Sequence, residues 1–99
     1  MLIILGTVRL PPERVEAARE AMGRMVENSR AEDGCLAYAY AEDLLEPGLV
    51  HVVERWRDED ALQAHFRTPH MAEWRAALPA LQVTDRRLFR YDADDGAPL

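Results

Sequence analysis

Three ionisable side chains stand where their neighbours call for apolar ones. Glu54 alternates along one strand-like face with Val50, Val52 and Trp56; Arg75 shares a helix-like face with Met71, Trp74 and Leu78; His65 follows Leu62 by three residues on a helical stripe. A charge buried without a partner is costly, so each must pair, face a cavity or reach water. For Glu54 the choice is between a structural ion pair with an arginine at the sheet or subunit boundary and a place in a site. Arg75 either snorkels, its stem packed and its guanidinium in water, or binds an anion such as a phenolate. His65 is either a hydrogen-bonded core residue or the group best suited to move a proton near neutral pH. Trp56 and Trp74 read first as core residues.

Other chemistries find little support. His51 and His70 read as ordinary surface or strand residues, and no pair of histidines has metal-ligand spacing. The single cysteine, Cys35, rules out an intramolecular disulfide and a cysteine metal cluster, and its place after Gly34 at a strand start reads as a packed thiol. There is no Gly-rich phosphate loop, GxSxG elbow or CxxC pair. With 12 Lys+Arg against 18 Asp+Glu, the net charge of −6 repels a phosphate backbone, so nucleic acid is not an expected partner. The opening apolar run is broken by Gly6, Thr7 and Arg9, far short of a membrane span, and lacks the basic start of a signal peptide. The expected setting is the cytoplasm.

The elements that must position these residues follow from the pattern. Residues 2–10, LIILGTVRL, form a strand stopped by Pro11-Pro12, and a helix runs from Pro12 to about Glu32 with Val15, Ala18, Met22, Met25 and Val26 on its apolar face. Gly34 ends it. Residues 35–42 and 49–57 form a hairpin turned at Glu46-Pro47-Gly48. Asp58 caps a helix bearing Leu62, His65 and Phe66, and Thr68-Pro69 starts a second helical segment bearing Met71, Trp74, Arg75 and Leu78. A final strand is expected from about Leu81, after Pro79, to Tyr91. The order is β-α-β-β-α-β, an α+β ferredoxin-like fold with a four-stranded antiparallel sheet. It occupies residues 1–91, with 92–99 a loose acidic tail. Leu2, Ile4 and Val8 alternate with Ile3 and Leu5, so the first strand is apolar on both faces, and the face turned from the helices asks for a second sheet. A 99-residue chain gains much from such a partner, which makes a homodimer the expected state.

The series Gly34-Cys35-Leu36 with Tyr38, then Glu54-Arg55-Trp56, then Leu62-Gln63-Ala64-His65-Phe66-Arg67-Thr68-Pro69-His70-Met71 resembles the antibiotic biosynthesis monooxygenase (ABM) family. The small quinol monooxygenase branch has GC-x-x-Y, E-x-W and L-x-A-H-x-x-T-P-H-M in this order. The resemblance implies a dimeric α/β barrel with a pocket between helices and sheet in each subunit. It also implies oxygenation of a quinol, phenol or anthrone without metal or flavin, O₂ being the co-substrate: the deprotonated substrate reduces O₂ directly, and the protein binds, deprotonates and shields it. On that basis His65 accepts the proton, Arg75 stabilises the anion and Trp56 walls or hydrogen-bonds the ring. Leu62, Phe66, Met71, Trp74 and Tyr38 line the binding site, and Glu54 supports it.

The resemblance has departures. An Asn four residues before the strand Trp and a Tyr six after it, found in antibiotic-tailoring members, are Val52 and Leu62 here, so that mechanism does not transfer whole. Heme-degrading relatives have Asn, Trp and His where this chain has Gly6 or Thr7, His65 and Arg75, which argues against heme oxygenation. Two other functions fit the scaffold: a non-catalytic barrel that binds a small aromatic metabolite, and a cofactor-free isomerase in which His65 shuttles a proton without consuming O₂.

Overall fold

A computed structural model describes all of residues 1–99. The chain forms β1 (Leu2–Arg9), a 3-10 turn (Pro12–Arg14), α1 (Val15–Arg30), β2 (Cys35–Glu42), β3 (Leu49–Trp56), α2 (Glu59–Phe66), α3 (Pro69–Leu81) and β4 (Thr84–Asp92). The strands make one antiparallel sheet in the order β2-β3-β1-β4, the ferredoxin-like arrangement that the sequence pattern predicts.

Two small residues fix tight approaches. A Cβ on Gly6 would lie 1.8 Å from the Arg87 carbonyl oxygen, so only glycine lets β4 cross β1 there, beside the register shift between Thr7 and Arg9. Gly34 takes φ +84° after α1, and its carbonyl accepts the Arg57 N–H at 2.8 Å, tying the start of β2 to the end of β3. The break between α2 and α3 is built by caps. Asp58 Oδ1 accepts from the Ala61 N–H at 2.9 Å. Thr68 Oγ1 accepts from the Met71 N–H at 3.2 Å and donates to the His65 carbonyl at 2.8 Å.

The last helix runs longer than expected. Pro79 does not end α3, which continues to Leu81, and β4 begins at Thr84 rather than Leu81. A proline near the helix end forfeits one N–H bond, and the end is then closed by Gln82 in the left-handed region (φ 58°). Gln82 N–H bonds the Pro79 carbonyl and Val83 N–H the Leu78 carbonyl. The first helix is shorter than expected, because the turn after Pro11-Pro12 is 3-10 and the regular helix ends at Arg30.

The helices cover one face of the sheet. Leu2, Ile4, Met25, Tyr38, Trp56, Ala61, Leu62 and Met71 form one buried cluster, and Val8, Leu10, Ala18, Val50 and Val52 form a second. On the other face, Ala39, Val53, Leu5 and Phe89 stand in register across all four strands. Leu5 is 42% and Phe89 58% exposed, so this apolar row is uncovered within one chain.

Candidate active site

Between the helical layer and the sheet lies a cavity of about 280 Å³, lined by 19 residues of which 15 are hydrophobic. That volume and lining suit a small, mostly apolar molecule held by a few polar groups. Of the residues singled out from the sequence, Tyr38, Glu54, Leu62, His65, Phe66, Met71 and Trp74 line it together. They arrive from β2, β3, α2 and α3, because odd-even alternation on the strands and the capped break between the helices aim them at one space.

His65 is fully buried, and its Nδ1 lies 2.6 Å from Glu32 Oε2. His70 Nε2 approaches the same oxygen at 2.8 Å. Glu32 is acceptor-only when ionised, so both rings donate to it and His65 is held as the tautomer protonated on Nδ1. Its Nε2 is left with a free lone pair. Only Ser29 Oγ is sealed from solvent without a partner, so His65 Nε2, which has none, opens onto the cavity. Burial pushes the His65 pKa below its ordinary value, outweighing the upward pull of Glu32, and the neutral base form is therefore favoured. The imidazole packs against Trp56 at a ring separation of 4.6 Å and against Tyr38 at 5.5 Å, which fixes its plane.

Glu54 is not in an arginine ion pair. Its Oε1 accepts the Trp56 indole N–H at 3.0 Å, and its other oxygen faces the cavity without a protein partner. Burial raises its pKa; the Trp56 hydrogen bond and the nearby Arg86 pull the other way. The tyrosines share the setting. Tyr38 and Tyr40 hydroxyls lie 3.0 Å apart, and burial lifts the Tyr38 pKa far above the ordinary range and the Tyr40 pKa up to about 12. Neither ionises near neutral pH, so both offer neutral hydrogen-bonding groups.

Three expectations need correction. Arg75 is exposed and does not reach the cavity; its Nη2 donates to the Phe66 carbonyl at 2.9 Å, capping the end of α2 from α3. Trp56 is fully buried but lies behind the lining, where it supports Glu54 and His65 instead of walling the cavity. His70 is not an ordinary surface residue but a partner of Glu32. By contrast His51 is exposed and bonded to Asp43, and Cys35 is a half-buried free thiol whose pKa burial raises, as a packed side chain should be.

Sequence reasoning missed Glu32, whose role depends on contacts across more than thirty residues, and Arg86, which lines the cavity from β4. Arg86 was legible in principle, since strand parity places Arg86, Leu88 and Arg90 on one face. The donor atoms of Glu32, His65 and His70 lie within 4.8 Å of one another, so these three side chains are the candidate ligands for a metal ion. Both imidazole N–H groups would have to release their protons to bind one.

Residues 1–77 match the antibiotic biosynthesis monooxygenase family. The chain belongs to that family. It is 31% identical to the uncharacterized protein sll1783 of Synechocystis sp. over 80 residues, which is 81% of this chain but only 54% of that protein, so the chain spans about half of that relative's length. It is 26% identical to the protein of Escherichia coli named Probable quinol monooxygenase YgiN, covering 79% of this chain and 85% of that one. Among solved structures, an antibiotic biosynthesis monooxygenase family protein of Deinococcus radiodurans superposes with a TM-score of 0.91 at 31% identity, covering 100% and 98% of the two chains. Rv0793 of Mycobacterium tuberculosis gives 0.82 at 26% identity and covers 98% of each. The family and its fold are thus shown. No helix is long and apolar enough to cross a membrane.

Proposed function

We propose that this protein is a cofactor-free monooxygenase that oxidises a small quinol, phenol or anthrone with O₂. The observation that carries the reading is the buried Glu32–His65 pair, which presents an unprotonated Nε2 to an apolar cavity. In the proposed reaction, His65 Nε2 takes a proton from the substrate hydroxyl or from the activated ring carbon. The resulting carbanion-like anion passes one electron to O₂, and the radical pair combines to a carbon–oxygen bond. The hydroperoxide so formed loses water as its O–O bond breaks, leaving a new carbonyl. The proton held by His65 is the one that converts the peroxide anion to this hydroperoxide, the hydroxide departs with the remaining C–H proton as water, and the net change is a CH₂ group and O₂ giving a carbonyl and water. Apolar walls keep bulk water from the anion and its radical successor. Glu54, Tyr38 and Tyr40 supply the few polar contacts that orient the ring.

The functional unit in this reading is a homodimer. The exposed row Ala39, Val53, Leu5 and Phe89 is the sheet face that a second copy would cover, and covering it would complete an α/β barrel. An oxygen electrode decides the enzymatic proposal: a panel of reduced naphthoquinols and anthrones, corrected for autoxidation, should show uptake by wild type and a loss of about 10²-fold or more in His65→Ala. Equal rates for the two proteins would leave a binding module. Substrate turnover without O₂ would make the protein an isomerase.

A further inference from the structure

The cavity has two chemically different ends. At one end, His65, Glu54 and Tyr38 gather near the level of Ile4 on β1, since Ile4 is in register with Glu54 and Glu54 with Tyr38. Arg86 enters from β4 near the level of Val8, between the pairs Thr7–Arg87 and Arg9–Thr84. Four residues of strand separate these levels, about 13 Å along β1 at the usual rise, and β4 is two strands away from β3.

The charged groups on the lining are unequal in their partners. Glu54 holds the Trp56 indole, His65 holds Glu32, and Arg90 is paired with Glu59. Arg86 alone has neither a hydrogen bond nor an ion pair. A guanidinium is a rigid fork built for bidentate carboxylate recognition, and here it borders a largely hydrophobic chamber where the one carboxylate on the lining, Glu54, acts on it only through space and makes no ion pair with it.

We propose that Arg86 forms an anion subsite at the end of the cavity away from His65, and that the substrate is an aromatic acid: a fused-ring phenol or quinol with a carboxylate on the ring distant from the reacting hydroxyl. This rests on the cavity being the reaction chamber, and it assigns Arg86 to substrate selection. A fused bicyclic ring spans the gap between the two ends once the arginine side chain is extended, whereas a single ring with its carboxylate next to the hydroxyl does not.

Calorimetric binding of three probes that need no turnover tests the assignment: 2-naphthol, 6-hydroxy-2-naphthoate with its carboxylate at the far end, and 3-hydroxy-2-naphthoate with it adjacent. Wild type should bind 6-hydroxy-2-naphthoate at least tenfold tighter than 2-naphthol, with little gain for the 3-hydroxy isomer. Arg86→Met should abolish the preference, Arg86→Lys should keep part of it, and Arg19→Met, which removes the same charge from an exposed pair on α1, should leave it intact. Arg86 is exposed, so the thermal midpoint of Arg86→Met should match wild type and exclude misfolding. Equal affinity of wild type for 2-naphthol and 6-hydroxy-2-naphthoate would overturn the subsite, as would a preference that survives Arg86→Met. A protein that keeps the Arg86-dependent preference yet consumes no O₂ would sink the oxygenase reading and leave the subsite standing.

Discussion

The two faces of the sheet are made from the same strands and differ in what they spend their side chains on. Along β3, Val50, Val52, Glu54 and Trp56 are buried under the helices while His51, Val53 and Arg55 between them are exposed. The covered face mixes its apolar residues with a carboxylate and an indole and receives two histidines and a glutamate from above. The uncovered face carries a plain apolar row. Polar groups are costly to bury and are satisfied here only in part by one another, so the inner face trades packing energy for chemistry. The outer row makes no such trade, and its free energy remains available for association.

The largest expected effect comes from breaking the inner face at its centre. Trp56→Ala removes a fully buried ring that packs on Tyr38 and His65 and holds Glu54. It should cost about 3–5 kcal/mol in urea unfolding, a large part of a small domain's stability. Trp56→Phe should cost much less while leaving Glu54 without its donor, which separates the packing role from the hydrogen bond. If Trp56→Ala unfolds at the wild-type urea concentration, the inner face is not organised around this ring.

On the outer face, Leu5→Asp should act oppositely. Its side chain is 42% exposed in one chain, so the fold of each subunit should persist, as read by far-ultraviolet circular dichroism. Association should weaken by about 10²-fold or more, because two desolvated carboxylates would meet an apolar row. Light scattering at micromolar concentration is the measurement. A dimer of unchanged stability would show that the row is not the interface, and a wild-type monomer would remove the interface altogether.

The same contrast explains what could be read from the sequence. Strand alternation and caps at Asp58 and Thr68 are local signals, and they specified the element order and the hairpin. Helical spacing put Leu62, Phe66, Met71 and Trp74 on apolar helix faces, and the family resemblance assigned them to the binding site. Pro79 misled, because a proline in the last turn forfeits little and the left-handed Gln82 closes the helix later. Arg75 misled for a different reason. Its helix neighbours Met71, Trp74 and Leu78 reach the cavity, but the Arg75 guanidinium turns to the Phe66 carbonyl at the end of α2, a contact set by the angle between two helices, which spacing does not encode. The Glu32–His65–His70 cluster joins the loop after α1 to both later helices, a nonlocal contact without a local signature.

A smaller effect concerns the pH dependence of the proposed base. His65 must be neutral to accept a proton, and burial lowers its pKa, so the acid limb of kcat/KM should fall below the ordinary imidazole value of about 6.5. Glu32 pulls that pKa upward and orients the ring. Glu32→Gln should therefore move the limb to still lower pH while reducing kcat by roughly tenfold through a looser tautomer and ring plane. A limb that shifts to higher pH would mean that Glu32 does not act on His65 as an anion.

The smallest effect is on stability, and it tests whether the inner face gives up packing energy for chemistry. Burial raises the Glu54 pKa, so its ionised form is the costly one in the folded state. The unfolded chain releases this proton near the ordinary glutamate value of about 4.3, before the folded chain does. Stability linked to Glu54 is therefore intact below that pH, declines as pH rises toward the folded pKa, and stays at its reduced level above it. Glu54→Gln keeps an oxygen for the Trp56 N–H and cannot ionise. Its Tm should match wild type at acid pH and exceed it slightly at neutral pH, while oxygen uptake falls if the free carboxylate oxygen orients the ring. If the Tm difference is independent of pH, Glu54 does not bear a folding cost as a buried anion, and the contrast between the two faces is one of packing alone.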